Sequence, residues 1–128
     1  MIAVSLQRRL AQANHQLLIA TSDYSPVNEE SQALNLLTRG ADALVLCGCS
    51  QRASLNKRLK ARAVPVVHVM SWPPASGLDC VGFDNARAMT QVVRYLLDLG
   101  HRRIAMLAGV TQDNDRAAAR VQGVRDAL

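Results

Sequence analysis

Aromatic side chains are nearly missing from this chain: one Trp, two Tyr and one Phe make up 3% of 128 residues. A core here has to be built from Leu, Val, Ile and Ala. Long apolar runs are missing too. The longest, around 63–70, is broken by Pro65 and His68. It falls far short of the roughly 20 residues that a membrane helix needs. In the opening stretch MIAVSLQRRLAQANHQ the basic residues follow the apolar ones, the reverse of a secretory leader. Cysteine is scarce and odd in number, at Cys47, Cys49 and Cys80, which argues against a disulfide framework. The CGC at 47–49 lacks the CxxC spacing of a zinc ribbon, and no second Cys/His pair lies at a matching distance. The three read as small buried thiols at strand ends, with no metal site. A reducing, cytoplasmic location is expected.

Motifs of catalysis are equally absent. There is no GxSxG elbow and no P-loop, and GVTQDND at 109–115 has neither GxGxxG nor a Lys-Ser/Thr pair. His68 lies inside an apolar strand pattern, where a hydrogen-bonded core histidine is the ordinary case. No enzyme activity and no cofactor are expected. The net charge of +5 is mild and spread along the chain. Its densest patch, NKRLKAR at 56–62, reads as the solvated face of a helix. Neither a zinc finger, nor an aromatic RNA-binding signature, nor a helix-turn-helix is present.

What is present is an alternation of helical and strand patterns. Ile2, Leu6, Leu10 and Ala13 recur at helical spacing over 1–13. LLIAT at 17–21 is a continuous apolar run and predicts a buried strand. Pro26 and Glu29 suit the first turn of a helix that Gly40 stops. ALVLC at 43–47 predicts a second strand, 53–63 the basic helix, VPVVHVM at 64–70 a third strand, SWPPASG at 71–77 a loop, and CVGF at 80–83 a fourth strand. Asp84 or Asn85 caps a long helix with Ala88, Val92, Tyr95, Leu96 and Leu99 on its buried face and Gly100 at its end. A fifth strand is predicted at 103–109 and a last helix at 116–128, behind Asp115. His101 and Arg102 complement the negative end of the preceding helix. Strands of unbroken Val/Ile/Leu separated by helices specify a three-layer α/β unit, its mainly parallel sheet covered on both faces.

In such a sheet a ligand binds at the carboxyl ends of the strands. Here those ends carry Ser22-Asp23, Gly48-Cys49, Ser71-Trp72, Phe83-Asp84 and residues 110–115, including Thr111 and Asn114. Hydroxyls, amides, a few carboxylates and one indole suit a small polar ligand such as a sugar.

The stretch VGFDNARAMTQVVRYLLDLGHRRIAMLAG, followed by Arg120-x-x-Gly123 and an Ala-Leu helix, resembles the LacI/GalR family of bacterial transcription regulators. SDYSPVNEESQALNLLTRGADALVLCG upstream resembles the family in the same order, with Asp42-Ala43 where the family usually has Asp-Gly. VPVVHVMSWPPASGLDCVGFDN is most like its gluconate-repressor branch. The resemblance covers nearly the whole chain. It implies that residues 1–128 are part of the N-terminal lobe of a periplasmic-binding-protein-like effector core. The first strand, the second lobe and the DNA-binding domain of such a regulator are not within these residues. The resemblance implies a sugar or sugar-acid effector such as gluconate, held by Arg120 with Asn114, Thr111, Trp72 and Ser22. It implies a homodimer of the full-length protein, and operator DNA gripped only through the N-terminal domain. The alternatives are a lobe of a periplasmic-type sugar-binding protein and a small nucleotide-fold enzyme. For Arg120 itself, the plain structural alternative is an ion pair with Asp113 or Asp115.

Overall fold

The computed structural model describes residues 2–72 and 77–128. Its elements run α1 (Ile2–Gln12), α2 (Pro26–Thr38), β1 (Leu44–Cys47), α3 (Ala53–Ala61), β2 (Val66–Val69), β3 (Cys80–Val81), α4 (Asn85–Asp98) and α5 (Asp115–Ala127). Residues 73–76 of the expected 71–77 loop lie outside the described residues.

The strands form one parallel sheet in the order β1-β2-β3. Alternation along β1 sends Leu44 and Leu46 to one face, where they pack with Ala33 of α2 and Leu55 and Leu59 of α3. Leu36, Leu37, Val64 and Val66 complete this core. The opposite face stays open: Val45 is 45% exposed, Val67 36% and Val81 67%. The core cluster lies on the face covered by α2 and α3.

Local chemistry sets the helix ends. Ser25 Oγ accepts from Asn28 N (3.3 Å) ahead of Pro26 at the first turn of α2. Asp84 Oδ1 accepts from Arg87 N (3.0 Å) and starts α4. Gly100, at φ +91°, ends α4, with His101 N bonded to Leu96 O (3.1 Å) and Arg102 Nη1 to Leu97 O (3.1 Å). The GHRR stretch is therefore helix termination. Arg52 offers α3 no side-chain cap. Instead, the buried Glu30 of α2 accepts from Ser54 Oγ (2.8 Å) and Arg52 Nη1 (3.1 Å) at that terminus, and a carboxylate there complements the helix dipole.

Several expectations need correcting. Neither 17–21 nor 103–109 is a strand. Both runs are largely exposed and without regular secondary structure: Leu18 is 47%, Ile19 65% and Leu107 fully exposed. A strand persists only when a neighbour takes up its backbone N–H and C=O groups, and no described residue pairs with either run. The fourth strand shrinks to Cys80–Val81. On α4 the buried apolar residue is Val93, whereas Val92, Tyr95 and, at its end, Leu99 are exposed. The reason is that α5 packs on a different stripe of α4 from the most apolar one. α1 buries no residue. Cys47 is exposed, and Cys49 and Cys80 are only half-buried, because Cys47 alternates onto the open sheet face.

Candidate functional site

A cavity of about 490 Å³ opens at the carboxyl end of the sheet. One wall is the turn 20–26 with Glu29 of α2; the other is the entry to α5, with Asp113, Asn114, Arg116 and Arg120. Cys47, Ser50 and Met70, at or beyond the ends of β1 and β2, form its floor. Its charged groups are three carboxylates, Asp23, Glu29 and Asp113, and two guanidiniums. It can offer hydrogen bonds of both polarities to a polyhydroxylated ligand.

Arg120 lines the cavity, and its Nη1 donates to Asn85 Oδ1 at 2.8 Å. Asn85 is 4% exposed, and its Nδ2 donates to Met70 O (3.0 Å) and Phe83 O (3.4 Å). Asp113 and Asp115, the alternative partners, form no ion pair with Arg120 among the described residues. Asp115 is instead 3.5 Å from Arg116 Nη1. Two residues of the sequence motif thus have separate duties. Arg120 crosses to the first residue of α4, while Gly123 lets the two helices touch. A side chain at Gly123 would collide with the Ala86 carbonyl, and Thr90 Oγ1 donates to Gly123 O (3.0 Å).

The other expected site residues divide. Ser22 lines the cavity. Asn114 lines it too, but its amide is spent on the backbone: Oδ1 accepts from Ala117 N (3.2 Å) as the cap of α5, and Nδ2 donates to Val110 O (2.9 Å). Thr111 and Trp72 lie outside this lining; Trp72 is 54% exposed, and the Thr111 carbonyl accepts from Asn114 N (3.3 Å).

Residues outside the expected effector-binding set build the site's frame. Asp115 Oδ2 accepts from Cys49 N (2.7 Å) and Ser71 Oγ (3.2 Å). It thereby ties the start of α5 to the chain beyond β1 and β2. Gly48, at φ +79°, lies so close that any side chain there would strike Asp115 and Arg116. Gln51, also buried, donates from Nε2 to Glu29 Oε1 and to Gly48 O, each at 3.3 Å. His68 is 4% exposed, with Nδ1 2.9 Å from Gly48 O, which fits the expected core histidine. Burial, reinforced by the neighbouring Cys80 and by Asp115, pushes the Cys49 thiol up to about 11. The helix-capping Asn114 and the turn Gly48-Cys49 were visible as loop chemistry; nothing in the sequence linked Asp115 to either.

The profile described as periplasmic binding proteins and sugar binding domain of LacI family matches residues 2–128. The chain belongs to this family. Among curated LacI-family relatives, it is 34% identical over 113 residues to the HTH-type transcriptional regulator GntR of Pseudomonas aeruginosa, covering 88% of this chain and 32% of that protein. It is 30% identical over 128 residues to the regulator IdnR of Escherichia coli, covering 99% of this chain and 38% of that one. The chain thus spans about a third of the length of the curated relatives it matches. The crystal structure of GntR from Chromobacterium violaceum superposes with a TM-score of 0.89 at 30% identity, over 98% of this chain and 45% of that one. The Cra regulator of Pseudomonas putida, solved with fructose 1-phosphate, superposes with a TM-score of 0.81 at 29% identity, over 99% of this chain and 46% of that one. The LacI-type fold expected from the sequence is therefore shown.

Proposed function

We propose that this chain is the effector-binding, N-terminal-lobe portion of a LacI-family transcriptional repressor. Its cavity takes a sugar or a sugar acid such as gluconate. In the full-length, cytoplasmic homodimer, the bound effector changes the grip of a separate N-terminal domain on operator DNA. The carrying observation is the cavity at the carboxyl ends of β1 and β2, with Arg120 on its wall and anchored to Asn85. One nitrogen of the guanidinium holds the helix pair, and its fork has further donors for hydroxyls or a carboxylate. The fructose 1-phosphate found on the Pseudomonas putida relative is a ligand of the same broad class.

Calorimetric titration of neutral sugars and sugar acids, on wild type and Arg120→Ala, tests the reading. Loss of a charge-assisted donor weakens binding by roughly ten- to a hundredfold, from about 1.5–3 kcal/mol. With an anionic effector, Arg120→Lys restores only part of the affinity, since a point charge replaces a fork. Unchanged affinity in Arg120→Ala, with the fold intact by circular dichroism, would confine Arg120 to joining α4 and α5.

A further inference from the structure

We propose that Cys49 and Cys80 are a dithiol pair that closes to a reversible intramolecular disulfide under oxidation by a hydroperoxide. The pair is brought together by sheet register and one turn. Leu46, His68 and Cys80 are aligned across β1, β2 and β3, and strand alternation gives them a common face. β1 ends at Cys47, and Gly48, at φ +79°, turns the chain sideways. Gly48 N is held by Val69 O (2.9 Å), and Gly48 O lies 2.9 Å from His68 Nδ1. The turn therefore crosses above His68, toward the strand that bears Cys80. Cys49 arrives there with its own N–H fixed by Asp115 (2.7 Å). The Cys80 thiol lies near enough to Cys49 to raise its pKa. The third cysteine is the counter-example within the same chain: Cys47 alternates to the open face of the sheet and is exposed.

The chemistry balances with the hydroperoxide as two-electron oxidant. One thiol, as its thiolate, attacks the peroxide oxygen. An S–O bond forms, the O–O bond breaks, and the leaving oxygen departs as water or an alcohol. The second thiol attacks the resulting sulfenic sulfur. An S–S bond forms, the S–O bond breaks, and the sulfenic oxygen leaves as water. The product bond needs a sulfur separation near 2.05 Å and paired Cα atoms about 4.4–6.8 Å apart. A short turn beyond a strand end can settle into that geometry more readily than two residues inside a ladder. Because the Cys49 backbone holds Asp115, the crosslink also fastens the entry to α5, which carries Arg116 and Arg120 of the cavity wall.

The test treats the 128-residue chain with hydrogen peroxide at pH 9, blocks the remaining thiols with N-ethylmaleimide, and maps disulfides by proteolysis and mass spectrometry. The expected product is a crosslinked peptide pair containing Cys49 and Cys80, lighter by two hydrogens, that dithiothreitol reverses. Cys49→Ser and Cys80→Ser each abolish it, and Cys47→Ser leaves it. Oxidised wild type with Cys49 and Cys80 both alkylated, or joined mainly to Cys47 of other molecules, overturns the proposal. Because the readout is on wild type, it does not depend on the variants folding. It is also independent of effector affinity, so its failure leaves the effector reading untouched.

Discussion

At the scale of single residues, polar side chains near the cavity serve the backbone and one another first. Asn114 caps α5, Asn85 braces Arg120 against two carbonyls, and Asp115 joins α5 to Cys49 and Ser71. Asp115→Ala leaves the Cys49 N–H and the Ser71 hydroxyl without their acceptor, and urea denaturation should register a loss of about 1–3 kcal/mol. The Cys49 thiol gives a pH prediction. Burial first, then Cys80 and Asp115, raise it to about 11. Its reactive thiolate is therefore scarce at neutral pH and gains roughly tenfold per unit as pH rises toward that value. Peptide-resolved alkylation by iodoacetamide from pH 7 to 11 should show Cys49 still accelerating above pH 9, where an ordinary thiol of pKa about 8.5 has levelled off. A midpoint near 8.5 for Cys49 would contradict the burial argument.

At the scale of elements, the contact between α4 and α5 rests on the absence of one side chain. Gly123 is buried in the middle of α5, where alanine would ordinarily favour the helix by about 0.5–1 kcal/mol. Here a Cβ would run into the Ala86 carbonyl, and that is backbone, which cannot swing aside. Overpacking of this kind costs about 1–3 kcal/mol, so the steric term wins and Gly123→Ala is destabilising. Thermal and urea unfolding of that variant check the sign; a more stable protein would mean that α5 is free to move off α4. The same helix pair shows why the buried stripe of α4 is not its most apolar one. The apolar spacing of Val92, Tyr95 and Leu99 is plain in the sequence. The partner α5 instead rests beside Ala86, Thr90 and Val93, because it is held there by Gly123 and by the Arg120–Asn85 bond.

At the scale of the whole molecule, the chain carries much uncovered apolar surface. Val45, Val67 and Val81 lie open on the sheet. Leu18, Ile19 and Leu107 stand on irregular runs without strand partners among the described residues, and Tyr95 of α4 and Leu99 at its end are exposed. Contiguous apolar surface and unpaired sheet edges drive association. The 128-residue chain taken alone should therefore show a weight-average mass that rises with concentration in sedimentation equilibrium. A monomer over the whole concentration range, unfolding in one cooperative calorimetric transition, would contradict this.

By itself the sequence determined what depends on near neighbours. Helix positions follow from apolar spacing, and helix ends from Pro26, Asp84 and Gly100, because capping signals span only three or four residues. The parallel α/β class, the core histidine and the family likeness were legible in the same way, as ordered local patterns. Only the tertiary structure decided what depends on distant partners. The runs 17–21 and 103–109 have strand composition, but a strand exists only through a neighbour's hydrogen bonds. Arg120 was identified as a cavity residue, yet its partner is Asn85, 35 positions away. Cys49 and Cys80 are separated in sequence by a helix and a strand. The register of three strands and the turn at Gly48 bring them to one end of the sheet, and register across a sheet is not written in any one segment.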